Sequence, residues 1–238
     1  MDNSKISHHI SEQFNKELED VRNKVLAMGG LVEQQLEIAI EALITGNVEQ
    51  AEFVINQDTQ IDTLEVAIEV ECTQILALRQ PTAFDLRLLL AVIKIIHELE
   101  RTGNKAKRIA EMAIKLSGYT NAMPKHDLDR MVELVKSMLD HALDAFARMS
   151  VDEVPAITER DLKVDREYEN IVRLLITYMM EDPRNITRFL DVITTVRALE
   201  RIGDHARYIC EHLVFMIKGE NVRHLTQEEL IDKINTPR

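Results

Sequence analysis

Two stretches one hundred residues apart carry the side chains best suited to chemistry. In the second stretch Glu200, Asp204 and Glu211 recur at helical spacing, with Arg207 among them. At roughly 100° per residue they fall on the side of a helix nearly opposite Leu199, Ile202, Ala206, Ile209 and Leu213. In the first stretch Glu100, Asn104, Lys107 and Glu111 hold the matching places. A second acidic stripe lies upstream of each. Asp58, Asp62, Glu65 and Glu69 share one face at i, i+4, i+7 and i+11. Asp161 and Asp165 repeat the first two of these, while Tyr168 and Val172 stand in place of the others. Carboxylates at i and i+4 on two adjacent helices can converge on a hard cation, which needs several oxygen ligands. The same pattern also suits an ordinary solvated face opposite a core stripe. Spacing leaves both readings open.

Other residue types narrow the chemistry. No serine, cysteine or histidine arrangement suggests nucleophilic catalysis, and no glycine loop could cradle a phosphate. A di-iron carboxylate oxidase or a ferritin-like protein would need Glu-x-x-His pairs facing a bundle core. None of the histidines has a glutamate three residues before it. His205 and His212 lie near the acidic stripe and read as surface histidines or as an added ligand. His8 and His9 read as a solvated terminus. Asp85 reads either as a capping partner of Thr82 or as a site residue. Arg101 and Arg201 can pair at i, i+3 with Asn104 and Asp204. Gly103 and Gly203 sit where alanine would favour a helix, which suits close packing or room for a ligand.

The elements that must position these residues repeat. Leu99, Glu100, Arg101, Gly103, Ala106, Ile109 and Glu111 recur one hundred residues later as Leu199, Glu200, Arg201, Gly203, Ala206, Ile209 and Glu211. Earlier in each unit the offset is 103, so that Met28, Leu31 and Leu36 match Met131, Leu134 and Leu139, and Asp58 and Asp62 match Asp161 and Asp165. Each unit reads as three long helices, at 8–45, 48–79 and 83–118, then at 126–149, 151–180 and 184–218. Asn47 with Gln50, and Ser150 with Glu153, are cap signals at equivalent places. Pro81 and Pro183 fall where the third helices begin. Gly29-Gly30 is expected to interrupt or bend the first helix. A linker runs from Gly118 to Lys125, and Thr226 with Glu229 caps a short helix in the polar tail. The expected fold is all-α: a three-helix bundle over 1–120, a second over 121–219, and a C-terminal tail over 220–238.

Composition bounds the function. The chain has 238 residues, of which 45% are hydrophobic and 29% charged, enough for a sizeable core and unlike a disordered chain. A formal net charge of -12 disfavours nucleic acid and anionic lipid, and makes a free anion such as phosphate an unpromising ligand unless a local basic site exists. Cys72 and Cys210 are far apart, in no metal spacing, and read as small buried hydrophobes in a reducing compartment. The N-terminal stretch lacks the apolar core of a signal peptide, and no apolar run approaches the ~20 residues that span a bilayer. A cytoplasmic chain, touching a membrane only through partners, is the expectation.

ELERTGN (Glu98 to Asn104) and ALERIGD (Ala198 to Asp204) resemble the paired signature of the PhoU family, regulators of bacterial phosphate uptake. QPTAFDLR (Gln80 to Arg87) resembles that family's entry into its third helix. The resemblance covers the chain from about Phe14 to Lys218. It implies a six-helix, often dimeric protein that is no enzyme. It implies a negative regulator of the phosphate-starvation response, acting between a phosphate ABC transporter and a sensor histidine kinase. It also implies a divalent or ferric cation (magnesium, manganese, zinc or iron) at the carboxylate signature, here Glu100 and Asn104, then Glu200 and Asp204. The first signature departs from the family pattern at Asn104, where an aspartate is usual. Asparagine keeps one oxygen donor but loses the charge, so the first unit is expected to hold metal weakly or not at all. Asp161 and Asp165, and in the first unit Asp58 and Asp62, are the expected second-helix contribution.

Overall fold

The structure, a computed structural model, describes the backbone of residues 3–119, 125–223 and 225–235, and the side chains of 12–119, 126–223, 225, 226 and 228–234. Six long helices follow in order: α1 (Asn3–Thr45), α2 (Val48–Arg79), α3 (Ala83–Leu116), α4 (Lys125–Arg148), α5 (Val154–Glu181) and α6 (Ile186–Lys218). A 3-10 turn at Pro183–Asn185 leads into α6, and a short α7 (Gln227–Asn235) closes the described chain. Most of the expected linker, and the side chains of His8 and His9, lie outside the described residues.

Local chemistry sets the ends. The Asn47 side chain accepts the Gln50 N–H at 3.2 Å and starts α2. Gly46, at φ 71°, makes the left-handed turn between α1 and α2 that a side chain would strain. Gly219, at φ 72°, ends α6 and donates its N–H to Phe215 O at 2.8 Å. Thr226 and Glu229 form the expected reciprocal box ahead of α7, with Thr226 N–H to Glu229 Oε2 at 2.7 Å and Glu229 N–H to Thr226 Oγ1 at 3.3 Å.

Three local expectations are corrected. Ser150 caps no helix. Its hydroxyl donates to Asp152 Oδ2 and accepts the Asp152 N–H, a self-contained turn, so α5 starts at Val154 rather than at 151. Thr82 and Asp85 form no side-chain box; only the Asp85 N–H reaches back, to Thr82 O at 3.2 Å. Nor does α1 break at Gly29-Gly30: it runs on without interruption. Gly29 is instead a point of close approach, because an added Cβ would lie 2.6 Å from Leu143 Cδ2 of α4.

α1, α2 and α3 pack as one bundle and α4, α5 and α6 as the other. The bundles lie side by side, joined chiefly by α3 against α6 and secondarily by α1 against α4. α3 and α6 run antiparallel. Lys115 Nζ stands 4.0 Å from Asp191 Oδ1, while near the other end of α3 the Arg87 Nε donates to Met216 O at 3.2 Å. The two copies are thus related by a pseudo-twofold axis near Gly103 and Gly203. This arrangement gives the central helices two buried faces. α3 buries 16 of its 34 residues and α6 17 of its 33, against 7 of 32 in the outer α2. Cys72 and Cys210 are buried and free, as expected of small hydrophobes. Burial pushes the Cys72 thiol up to about 12, so it stays protonated.

Candidate functional site

Each bundle carries its acidic residues where its second helix meets its third. In the second bundle Arg207 of α6 is the hub. Its Nε donates to Asp161 Oδ2 of α5 at 2.6 Å, its Nη1 to Glu211, and its Nη2 to Asp204 Oδ1 at 3.4 Å. Arg201 Nη1 donates to the other Asp204 oxygen at 2.9 Å. Arg201 Nε also approaches Glu200 Oε2 to 3.3 Å without a hydrogen-bonding alignment, so that this oxygen is buried with no hydrogen bond among the described residues.

Burial first, and repulsion between neighbours second, raise the carboxyls of this group despite the arginines. Burial pushes Asp161 up to about 6 against the pull of Arg207, with Asp204 and Asp165 adding to the rise. Burial and then Asp204 raise both Asp165 and Glu200. Asp161, Asp165, Glu200 and Asp204 therefore sense one another electrostatically, although no three of them place ligand atoms within 4.8 Å of one another.

The first bundle repeats the hub and changes the rest. Lys107 Nζ donates to Asp58 Oδ2 at 2.7 Å, the counterpart of the Arg207–Asp161 pair. Asp58 is buried and committed to that lysine, whereas Asp62 is exposed. Asn104 donates to Glu100, holding one of its oxygens. Glu100 is raised first by burial and then by Glu65 and Asp62. His97 Nδ1 and Glu65 Oε1 stand 3.1 Å apart. Glu65, His97 and Glu100 can each offer a ligand atom within 4.8 Å of the others, the only such group of three among the described residues. His97 was not singled out in the sequence, although it lies one helical turn before Glu100 and Glu65 lies on the acidic stripe of α2. Asp85 stands apart, since fifteen residues along α3 separate it from Glu100 by roughly 22 Å.

Glu211, His205 and His212, each open to a reading as a solvated group, are buried. Glu211 packs under Arg207, and His205 and His212 face α3. His205 Nδ1 lies 2.7 Å from Glu98 Oε2, and His212 Nε2 lies 4.0 Å from Glu98 Oε1. A single-helix wheel shows one core face, whereas α6 has a second against α3. Arg201 pairs with Asp204 as expected, but Arg101 pairs with no described residue.

The duplicated bundles with paired carboxylate groups match known proteins throughout. The family described as PhoU domain matches twice, at residues 25–113 and 128–213. The chain is 46% identical over 230 residues to the phosphate-specific transport system accessory protein PhoU of Serratia marcescens, covering 97% of this chain and 95% of that protein. It is 44% identical over 234 residues to the Escherichia coli protein of the same name, covering 98% and 97% respectively. The crystal structure of PhoU from Pseudomonas aeruginosa superposes with a TM-score of 0.84 at 45% identity, over 87% of this chain and all of that one. With both repeats matched and nearly the full length shared at such identity, the chain belongs to the PhoU family.

Proposed function

We propose that this chain is an accessory regulator of phosphate uptake, not an enzyme, and that it restrains the phosphate-starvation response. In this reading it works in the cytoplasm, as a homodimer, between a phosphate ABC transporter and a phosphate-sensor histidine kinase. The observation that carries the reading is near full-length similarity to proteins named as accessory to phosphate-specific transport. No described helix is long and apolar enough to cross a membrane; in this reading the chain meets the membrane only through those two partners. The decisive experiment is alkaline phosphatase activity in a deletion strain grown in abundant phosphate. High activity that falls on complementation supports a repressor; low activity in the deletion strain contradicts it.

A cation belongs to the same proposal. In the second bundle Glu200, Asp204, Asp165 and Asp161 would hold it; in the first, Glu65, His97 and Glu100, with Asp62 and Asn104 beside them. The donor set fits. Carboxylates with one imidazole suit manganese, iron or zinc. The buried Glu200 Oε2 lacks a hydrogen bond, and a cation would satisfy it. Bound there, the ion would supply positive charge that ties the second helix of a bundle to its third. Asp58, like Asp161 in the second bundle, gives one oxygen to its hub cation and has only the other to offer.

A further inference from the structure

The pseudo-twofold axis passes through a cleft of about 310 Å³ between α3 and α6. Three quasi-equivalent pairs line it: Arg101 with Arg201, Asn104 with Asp204, and Lys105 with His205; Tyr208 completes it. In a chain of net charge -12, this cleft holds three permanent cations against one carboxylate. The excess is local. Arg201 is held by Glu200 and Asp204, but Arg101 and Lys105 form no ion pair or hydrogen bond with any described residue. The broken symmetry of the repeat accounts for Lys105. On one arm of the axis, His205 of α6 faces Glu98 of α3. On the other arm the repeat places Ala198 where a glutamate would face Lys105. Asn104 acts in the same direction, since an aspartate there, the counterpart of Asp204, would remove one unit of positive charge.

We propose that this cleft binds a small phosphate-type oxyanion, either inorganic phosphate or the phosphate group of a monoester. Arg101 and Lys105 would supply its counter-charge, with Arg201 and the Tyr208 hydroxyl opposite them. A guanidinium presents paired N–H donors that match the oxygens of a phosphate, and an ammonium adds a compact point charge. The volume suits a small ligand rather than a folded partner. Cations gathered in one cleft concentrate an anion more than scattered surface lysines do. The site adjoins the carboxylate groups and shares Asp204 and Asn104 with them, but its unpaired counter-charge comes from Arg101 and Lys105, which belong to neither group, so the proposal does not rest on a bound metal.

The test is isothermal titration of the chelator-treated full chain with inorganic phosphate, and separately with phenyl phosphate as a monoester, at ionic strength held constant with chloride. Saturable binding is expected, weakened at least tenfold in R101Q/K105Q and unchanged in K163Q, a surface lysine elsewhere. The double variant should keep the wild-type melting temperature without phosphate, since neither side chain has a partner to lose. Tighter binding of phenyl phosphate would identify a monoester as the ligand, and equal or weaker binding would identify free phosphate. Equal affinities in wild type and double variant would overturn the proposal. So would binding of a poly-glutamate peptide without binding of either phosphate, which would make the cleft a docking point for an acidic segment.

Discussion

Glu98 of α3 and His205 of α6 meet across the boundary between the two bundles, carboxylate oxygen to Nδ1 at 2.7 Å, with both side chains buried. Their counterparts in the repeat are Ala198 and Lys105, so this contact exists on one side of the axis only.

The contact makes stability sensitive to acid. Burial alone would raise the Glu98 carboxyl, but its hydrogen bonds and charge interactions with His205 and His212 outweigh burial and hold it at about 2. An unfolded glutamate titrates near pH ~4.3. The contribution is therefore complete above that value and is lost as pH falls towards about 2. In urea denaturation over this window, Glu98→Gln should flatten the dependence of stability on pH. At neutral pH it should cost about 1–3 kcal/mol. Identical slopes in variant and wild type would show that Glu98 is not the titrating group.

The hub cations should differ in weight. Arg207→Met strands Asp161 and Glu211, both buried, and is expected to cost about 3–5 kcal/mol. Lys107→Met strands Asp58 alone, beside an ammonium that is 34% exposed and open to water, and should cost about 1–3 kcal/mol. Denaturant midpoints at neutral pH compare the two. A lysine variant less stable than the arginine variant would reverse the assignment of Arg207 as the stronger hub.

Cation binding should follow the raised carboxyls. Asp161 at about 6, with Asp165 and Glu200 also raised, must release protons before an ion can enter. Manganese affinity should therefore rise from pH 5.5 to pH 7.5. Asp204→Asn should abolish the tighter phase, and Arg201→Gln should strengthen it by removing a competing cation. An isotherm indifferent to pH and to Asp204→Asn would argue against the second-bundle group.

Three glycines should respond differently to alanine. At Gly203 an added Cβ meets Met138 and Val164 at 3.6 Å, ordinary contact, so Gly203→Ala should stabilise α6 by about 0.5–1 kcal/mol. At Gly29 it would lie 2.6 and 3.0 Å from the two Cδ atoms of Leu143, which is itself buried in the core, a crowding cost of about 1–3 kcal/mol that outweighs the helical gain. Gly103→Ala should fall between, because it meets the far end of Ile61 at 2.8 Å. Melting temperatures should rank Gly203→Ala above wild type and Gly29→Ala lowest; any other placing of these two would refute the packing argument.

The helices, their order and the duplication are legible in one dimension. Those features reside in local periodicity, in caps such as Asn47 and Thr226, and in residues that recur at fixed offsets. The sequence also marked Asp161, Asp165, Glu200 and Asp204, because i, i+4 spacing on neighbouring helices shows in one dimension. How α3 and α6 pack is settled by contacts between distant parts of the chain, and much of the site's chemistry follows from that. Their antiparallel contact gave α6 a second buried face, turning His205 and His212 from expected surface groups into partners of Glu98. Packing between α2 and α3 brought His97 to Glu65, and the Lys107 ammonium to Asp58. The cleft of Arg101 and Lys105 exists only where the two copies meet. A helical wheel treats each helix as facing one core, and cannot register charge that is balanced, or left unbalanced, between two of them.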